Sequence, residues 1–161
     1  MVVVSDTSVI SGLLILDQLS ILEELFDEVT IPKAVHHELM DLDRFGYDIS
    51  KLETAWIKVR AVEVDEVLSR QLEKLDIGEI EAITLAKELE AGWLLIDEKK
   101  GRRYAEALGI QIIGLLGILV KAKQKGVIIA VKPLIEKLSN TAEFRMSQSL
   151  IDLILTTVNE K

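Results

Sequence analysis

Four acidic side chains of this chain stand where they could bind a divalent cation: Asp6, Glu38, Glu79 and Asp97. The two aspartates each directly follow a short apolar run that is typical of a buried strand. The chain has no cysteine, so the four carboxylates would form an all-oxygen site, which suits Mg²⁺ or Mn²⁺ better than zinc. Such ions hold a phosphate oxygen, activate water and stabilise a leaving oxygen. Phosphodiester hydrolysis is one reaction that such a site would fit.

The two aspartates also have a simpler explanation as helix caps. Asp6, followed by Thr7 and Ser8, can cap the helix after the first strand, and Asp97 can do the same after its own strand. For either residue alone, the cap is the favoured explanation. Two caps at neighbouring strand ends, however, bring two carboxylates together, and each raises the pKa of the other. A divalent cation resolves that repulsion.

The two glutamates are weaker candidates when each is taken alone. Glu38 lies beside inward-facing apolar positions on the helix that follows Pro32, but a solvated helix glutamate is common. In the next acidic helix, Glu79 points along the apolar face, whereas Glu81 lies about 200° around the helix axis from it. Interaction with the helix dipole would also explain either residue. Glu79 is the preferred third acid, and Glu81 remains the alternative.

An alternation of strands and helices must position these acids. Short apolar strands are predicted at residues 1–5, 29–31, 56–59, 93–96 and 110–113. Helical spacing is found over residues 16–26, 32–41, 63–75, 79–90, 102–108 and 116–125 and in two segments nearer the C-terminus, whereas residues 42–55 are predicted to be a loop or an irregular insertion. Parallel strands need crossover connections, so the pattern predicts an α/β fold with helices on both faces of a parallel sheet. Sites in such sheets lie beyond the carboxyl ends of the strands.

The composition limits the classes of function. The chain has 161 residues, of which 49% are hydrophobic and 29% charged, without repeats or linkers, so we expect one globular domain over residues 1–161. The absence of cysteine excludes disulfides, thiolate zinc sites and cysteine nucleophiles and makes the cytoplasm the default location. The longest uncharged apolar run, Ile112–Val120, is too short for a membrane-spanning helix. We expect no secretory signal and no membrane association.

The net charge of −8 argues against broad electrostatic attraction to nucleic acid. A local basic strip could still bind a phosphate backbone, and four basic residues follow Asp97: Lys99, Lys100, Arg102 and Arg103. Arg102 is the preferred phosphate contact because a planar guanidinium can pair two phosphate oxygens. A solvated helix start explains each of the four equally well.

The order of these segments resembles the PIN-domain family over nearly the whole chain. Val3–Ser8 looks like the first-strand motif of that family, and Ile31–Leu39 resembles the helix that bears its second acid. Leu75–Ile83 and Leu94–Arg103 are similar to the segments that carry the remaining acids. Two further segments resemble a prokaryotic branch of the family: Gly114–Leu119 and Phe144–Ser147.

The resemblance implies a three-layer α/β/α sandwich, a homodimer, and an endoribonuclease that hydrolyses RNA with Mg²⁺ or Mn²⁺. It implies that the catalytic and metal-binding acids are Asp6, Glu38, Glu79 and Asp97, supported by Thr7, Ser8, Glu81 and Glu98, with RNA contacts from Lys99, Lys100, Arg102 and Arg103. Relatives of the VapC type include toxins that a small antitoxin protein restrains. One departure is the third acid, a glutamate here where VapC-like members often have aspartate.

Two other functions compete with this interpretation. A PIN-like scaffold could bind proteins without turnover, and a metal titration combined with an activity assay would distinguish that case. An aspartyl-phosphate phosphatase needs a second aspartate two residues after its nucleophile, where this chain has Ser8. A histidine metal site is disfavoured because His36 and His37 are adjacent on a helix and diverge by about 100°.

Overall fold

A five-stranded, all-parallel sheet lies at the centre of the computed structural model, which describes residues 1–141 and 144–161. The strand order is β3-β2-β1-β4-β5. The strands are β1 (Val3–Ser5), β2 (Val29–Pro32), β3 (Ile57–Arg60), β4 (Trp93–Leu95) and β5 (Ile112–Ile113). From the central strand β1, the sheet continues through β2 to β3 on one side and through β4 to β5 on the other. The carboxyl ends of β1 and β4 therefore form the switch point at which parallel α/β sheets place their ligand sites.

Helices connect the strands and flank the sheet, which confirms the predicted α/β/α architecture. They are α1 (Thr7–Ile15), α2 (Ser20–Phe26), α3 (Lys33–Met40), α4 (Glu66–Gln71), α5 (Ile77–Glu88), α6 (Lys99–Ala107), α7 (Leu115–Gln124), α8 (Lys132–Ser139) and α9 (Gln148–Thr157). In the described ranges, no helix is long and apolar enough to cross a membrane.

Three predicted segments differ from the structure. The helical pattern predicted from residue 16 is interrupted, because Asp17 has a positive φ of 56° and α2 begins only at Ser20. The helix predicted over residues 63–75 is limited to α4, whose start is fixed by the Asp65 side chain accepting from the Leu68 N–H at 2.7 Å. The predicted irregular insertion contains two short 3-10 helices, Asp41–Phe45 and Ile49–Leu52.

The core is formed by aliphatic side chains on both faces of the central strands. Val4 of β1 and Leu94 of β4 are neighbours in register, and both are fully buried. The edge strand β3 buries Ile57 but leaves Val59 44% exposed. Close packing at the central strands fixes the backbone from which the acidic residues project.

We predict that Leu94→Ala lowers the free energy of unfolding by about 2–5 kcal/mol, because it removes a fully buried side chain from the central sheet. Leu153→Ala is the matched control, since Leu153 is 62% exposed on α9 and its change should stay within about 0.5 kcal/mol. Urea denaturation of both variants measures the difference. Equal losses would contradict the placement of β4 in the core.

Candidate metal centre

Sheet pairing places Asp6 and Asp97 at the same edge of the sheet. Asp6 directly follows β1, and its backbone N–H donates to the carbonyl oxygen of Leu95 in β4 at 2.9 Å. Asp97 follows Ile96, whose N–H donates to the carbonyl of Ile113 in β5 at 3.0 Å. Both aspartates thus extend beyond the carboxyl ends of adjacent parallel strands, at the switch point.

Asp6 is a helix cap and a buried acid at once. Its carboxylate accepts from the Ser8 hydroxyl at 2.8 Å and from the Val9 N–H at 3.2 Å, which caps α1. Burial leaves the residue only 2% exposed and raises the pKa of Asp6 to about 7. The bonds from Ser8 and Val9 lower that pKa, whereas the charges of Asp97 and Asp76 raise it further. The Asp6 carboxyl group is thus only partly ionised at neutral pH.

Asp97 does not cap the helix that follows its own strand, so that alternative is wrong. Glu98 caps α6 instead, accepting from the Gly101 N–H at 2.8 Å. The Oδ1 atom of Asp97 accepts from the Leu115 N–H at the start of α7 at 3.0 Å. A Cβ at Gly114 would lie 2.3 Å from that Oδ1, so the close approach requires glycine. Burial raises the pKa of Asp97, and the Leu115 bond and the Arg102 guanidinium partly offset the rise.

Glu38 is partly buried between helices rather than solvated. The Thr7 hydroxyl donates to its carboxylate, which joins α3 to the start of α1. A Cβ at Gly78 would lie 2.5 Å from Oε1 of Glu38, so α5 also approaches closely. Burial raises the pKa of Glu38, the Thr7 bond lowers it, and the charge of Asp76 raises it again. Glu38 therefore faces the N-terminal ends of both α1 and α5.

Glu79 faces the other acids, and Glu81 does not occupy the same position. Glu79 is 9% exposed, and burial together with the Asp76 carboxyl raises its pKa to about 9. Its Oε2 atom is buried and has no hydrogen-bond partner among the described residues. Glu81 instead accepts from the Ala34 N–H at 3.1 Å and so satisfies the first turn of α3. This geometry favours Glu79 as the third acid.

Asp76 is an acid of this cluster that the sequence analysis missed. It caps α5 by accepting from the Glu79 N–H at 2.8 Å, and its charge raises the pKa of Asp6, Glu38 and Glu79. The available signal was an aspartate three residues before Glu79 at the start of a helix, which is the N-cap position of a capping box.

The donor chemistry of the cluster fits a hard divalent cation. Across residues 1–141 and 144–161, no three acidic or histidine side chains are already arranged to hold a metal ion. Each of three carboxylates instead takes a protein donor: Asp6 from Ser8, Glu38 from Thr7, and Asp97 from Leu115. The buried, unpartnered oxygen of Glu79 remains, and oxygen-only ligands of this kind suit Mg²⁺ or Mn²⁺.

One of the four predicted basic residues lies at the acidic cluster. Arg102 is partly buried and lines a cavity of about 720 Å³ together with Ser8, Asp97 and Glu98. The other three are exposed on α6: Lys99, Lys100 and Arg103. The structure thus brings a guanidinium next to Asp97 and leaves three cations on the neighbouring surface.

Comparison with known proteins identifies the fold. A family model described as a PIN domain matches residues 2–160. Among solved structures, a PilT N-terminus domain protein from the hyperthermophilic archaeon Sulfolobus solfataricus is similar, with a TM-score of 0.52 and 21% identity over 90% of this chain and 100% of that chain. At this identity the likeness is one of fold alone. No curated protein matches the chain.

We predict that the metal-free protein loses stability as the pH rises between about 4 and 9. The folded-state pKa values of Asp6, about 7, and Glu79, about 9, lie above the ordinary values of 3.8 and 4.5. The folded state therefore binds more protons than the unfolded state over this range, and its free energy of unfolding falls with rising pH. The Asp6 shift alone corresponds to a loss of roughly 2.5 kcal/mol from about pH 5 to about pH 8, and the Glu79 shift adds to it.

Chemical denaturation in the presence of a chelator at the two pH values measures this loss. Asp6→Asn and Glu79→Gln should each reduce the pH dependence, whereas Asp43→Asn, an exposed aspartate outside the cluster, should leave it unchanged. Stability that rises with pH over this range, or equal slopes in all variants, would show that the buried acids are not the cause.

Proposed function

This chain belongs to the PIN-domain family, and we propose that it is a divalent-metal-dependent endoribonuclease that hydrolyses RNA phosphodiesters. PIN domains are generally nucleases and typically use divalent metals. The observation that carries the proposal is the buried Oε2 of Glu79, which lacks a hydrogen-bond partner in the part of the chain that the structure describes. A buried carboxylate oxygen is costly until a proton or a cation neutralises it.

Four carboxylates would hold the cation: Asp6, Asp97, Glu79 and Glu38. Asp76 adds negative charge close to three of them. When bound, Mg²⁺ or Mn²⁺ would polarise a phosphate oxygen and make water a stronger nucleophile at neutral pH.

Hydrogen-bond donors on neighbouring helices orient three of these carboxylates. Ser8 holds Asp6 through its hydroxyl, Thr7 holds Glu38, and the Leu115 N–H holds Asp97. Because each donor belongs to the first turn of a helix, the carboxylates are anchored to rigid elements rather than to loops. These contacts support Thr7 and Ser8 as positioning residues. Glu98 caps α6, and its negative charge raises the pKa of Glu79.

Positive charge next to Asp97 supports the assignment of a phosphate-binding role to Arg102. Its guanidinium lowers the pKa of Asp97 and lines the same cavity. A phosphate at this point would pair with the guanidinium while the acids face the cation. The exposed Lys99, Lys100 and Arg103 on α6 would attract the adjoining backbone. Since the chain carries a net charge of −8, we expect weak RNA binding that declines with salt.

We further propose that the chain is one cytoplasmic nuclease domain that acts as a homodimer and is the toxin of a toxin–antitoxin pair. The resemblance to VapC-type relatives supports the second copy of the chain and the antitoxin as partners. The absence of cysteine agrees with a cytoplasmic location. A short antitoxin-like reading frame next to the gene would support the toxin role. Light scattering of the purified chain would measure the oligomeric state.

We predict that Mn²⁺ stabilises the wild-type protein by mass action, by about 2.7 kcal/mol when the free ion is at a hundred times its Kd. Asp6→Asn should reduce this gain and leave the metal-free fold about as stable, because the change also relieves repulsion. Asp43→Asn is the matched control and should retain the full gain. Thermal denaturation with and without Mn²⁺ measures these differences, and an equal gain in wild type and Asp6→Asn would remove Asp6 from the proposed ligands.

We predict that the Mn²⁺-loaded protein cleaves single-stranded RNA and that chelation abolishes cleavage. Asp97→Asn keeps the size of the side chain but removes its charge, so turnover should stop without unfolding. Arg102→Ala should weaken RNA binding and leave Mn²⁺ stabilisation intact. Arg70→Ala is the matched control, since Arg70 is exposed on α4 and pairs with Glu66 at 2.7 Å.

Cleavage that survives both chelation and Asp97→Asn would indicate a contaminating nuclease or another mechanism. Clear Mn²⁺ stabilisation without cleavage of any RNA tested would instead favour a protein-binding PIN-like module. Gel analysis of end-labelled RNA, run beside thermal denaturation of the same samples, distinguishes these outcomes.

A further inference from the structure

The cavity of about 720 Å³ beside the acidic cluster extends beyond the residues that would hold the metal ion. Ser8, Asp97 and Arg102 line one part of it. The rest is formed largely by apolar side chains from β5, α7, α8, α9 and the segment 144–146. We propose that this cavity binds one unstacked base of a single-stranded RNA, at a nucleotide next to the cleaved phosphodiester. The inference rests on the proposed function and adds a base-binding subsite to it.

The walls of the cavity match the surface of a nucleobase. A site with mainly apolar walls and a few polar groups is typical for a small-molecule ligand, and a nucleobase is one. Phe144 is the one aromatic ring among the described lining residues, and Arg145 lies next to it. Unpaired bases in RNA complexes stack on aromatic rings and on guanidinium planes. Phe144 and Arg145 therefore supply both kinds of stacking surface in one place.

The charge distribution favours a nucleotide over an apolar protein segment. Two arginines, Arg102 and Arg145, line the cavity together with the acids Asp97 and Glu98, so guanidinium groups stand beside a proposed metal-binding carboxylate. A base in a chain of RNA is flanked by a phosphate on either side, so cations are needed near the base-binding walls. A purely apolar segment would gain nothing from these guanidinium groups.

Continuity with the acidic cluster determines which base could enter. Asp97 lines the cavity and faces the other acids, and Ser8 lines it while donating to Asp6. A phosphate held at the acids is joined through one sugar to its base, so that base lies within reach of the cavity. A base paired in a duplex cannot leave its stack without an unpairing cost. The preferred substrate is therefore a single strand or a loop.

Gly12 in the middle of α1 makes room for the ring. Glycine is among the least favourable residues inside a helix, but a Cβ at this position would lie 2.9 Å from Cζ of Phe144 and 2.5 Å from Cδ2 of Leu115. Without a side chain at residue 12, the ring packs directly onto the helix whose first turn holds Asp6. The stacking surface and the acidic cluster thus share one rigid support.

A double-mutant-type cycle, in which Phe144 variants are combined with intact and abasic RNA, tests the base site. The substrates are a short single-stranded RNA whose cleaved bond has been mapped, and two copies with an abasic ribose on either side of that bond. We expect Phe144→Ala to lower kcat/KM about tenfold for the intact RNA, as loss of aromatic stacking does, and to leave one of the abasic RNAs unaffected. Fluorescence anisotropy in the presence of a chelator should give the same pattern for binding.

Three further variants control for structural damage. Phe144→Trp keeps a ring and should restore the preference for the intact RNA. Phe144→Leu keeps an apolar side chain against Gly12 and should lose the preference even if the alanine variant is unstable. Phe45→Ala removes a 68% exposed ring outside the cavity and should change nothing.

Equal losses for intact and abasic RNA, or no loss in any Phe144 variant, would overturn the base site and leave the cavity to an apolar protein segment. Failure of the proposed function has a different result. Neither Mn²⁺ stabilisation nor cleavage would be seen, whereas anisotropy would still distinguish the intact RNA from a fully abasic copy, whose design needs no mapped bond. Metal-dependent cleavage without any dependence on the base would reject only the inference drawn from the cavity.

Discussion

Burial of neighbouring carboxylates at one edge of the sheet is the constraint on which the site depends. Loss of water raises the pKa of Asp6 to about 7 and that of Glu79 to about 9, and the charge of Asp76 adds to both shifts. Hydrogen bonds from Ser8 and Val9 offset part of this cost at Asp6. In the described residues, Oε2 of Glu79 has no such donor. The cost that remains is the physical basis for proposing a cation at this position.

The fold brings these acids together through the order of its strands. Because the sheet extends from β1 in both directions, the segments that follow β1 and β4 leave the same edge side by side. The first turns of α1 and α7 then supply hydrogen-bond donors to Asp6 and Asp97, and α5 brings Glu79 in from its own first turn. The buried strands beneath, with Val4 and Leu94 in register, keep these starting points fixed.

The sequence could predict the parts of the site that depend on local pattern. A buried strand ending in aspartate was recognisable for Asp6 and Asp97, and helical periodicity distinguished Glu79 from Glu81. Contacts between distant segments were not predictable, because no local pattern encodes them. The bond from the Leu115 N–H to Asp97 spans 18 residues. The packing of the Phe144 ring against Gly12 depends equally on tertiary structure.

The most direct test of this account is the number of protons released when Mn²⁺ binds near neutral pH. Titration calorimetry in buffers with different ionisation enthalpies measures that number. Glu79 and part of the Asp6 population hold protons near pH 7, and a carboxylate must lose its proton to bind an ion. The account predicts release of about one proton or more per bound ion, and a smaller release from Glu79→Gln. Binding of Mn²⁺ without proton release, or no binding at all, would contradict it.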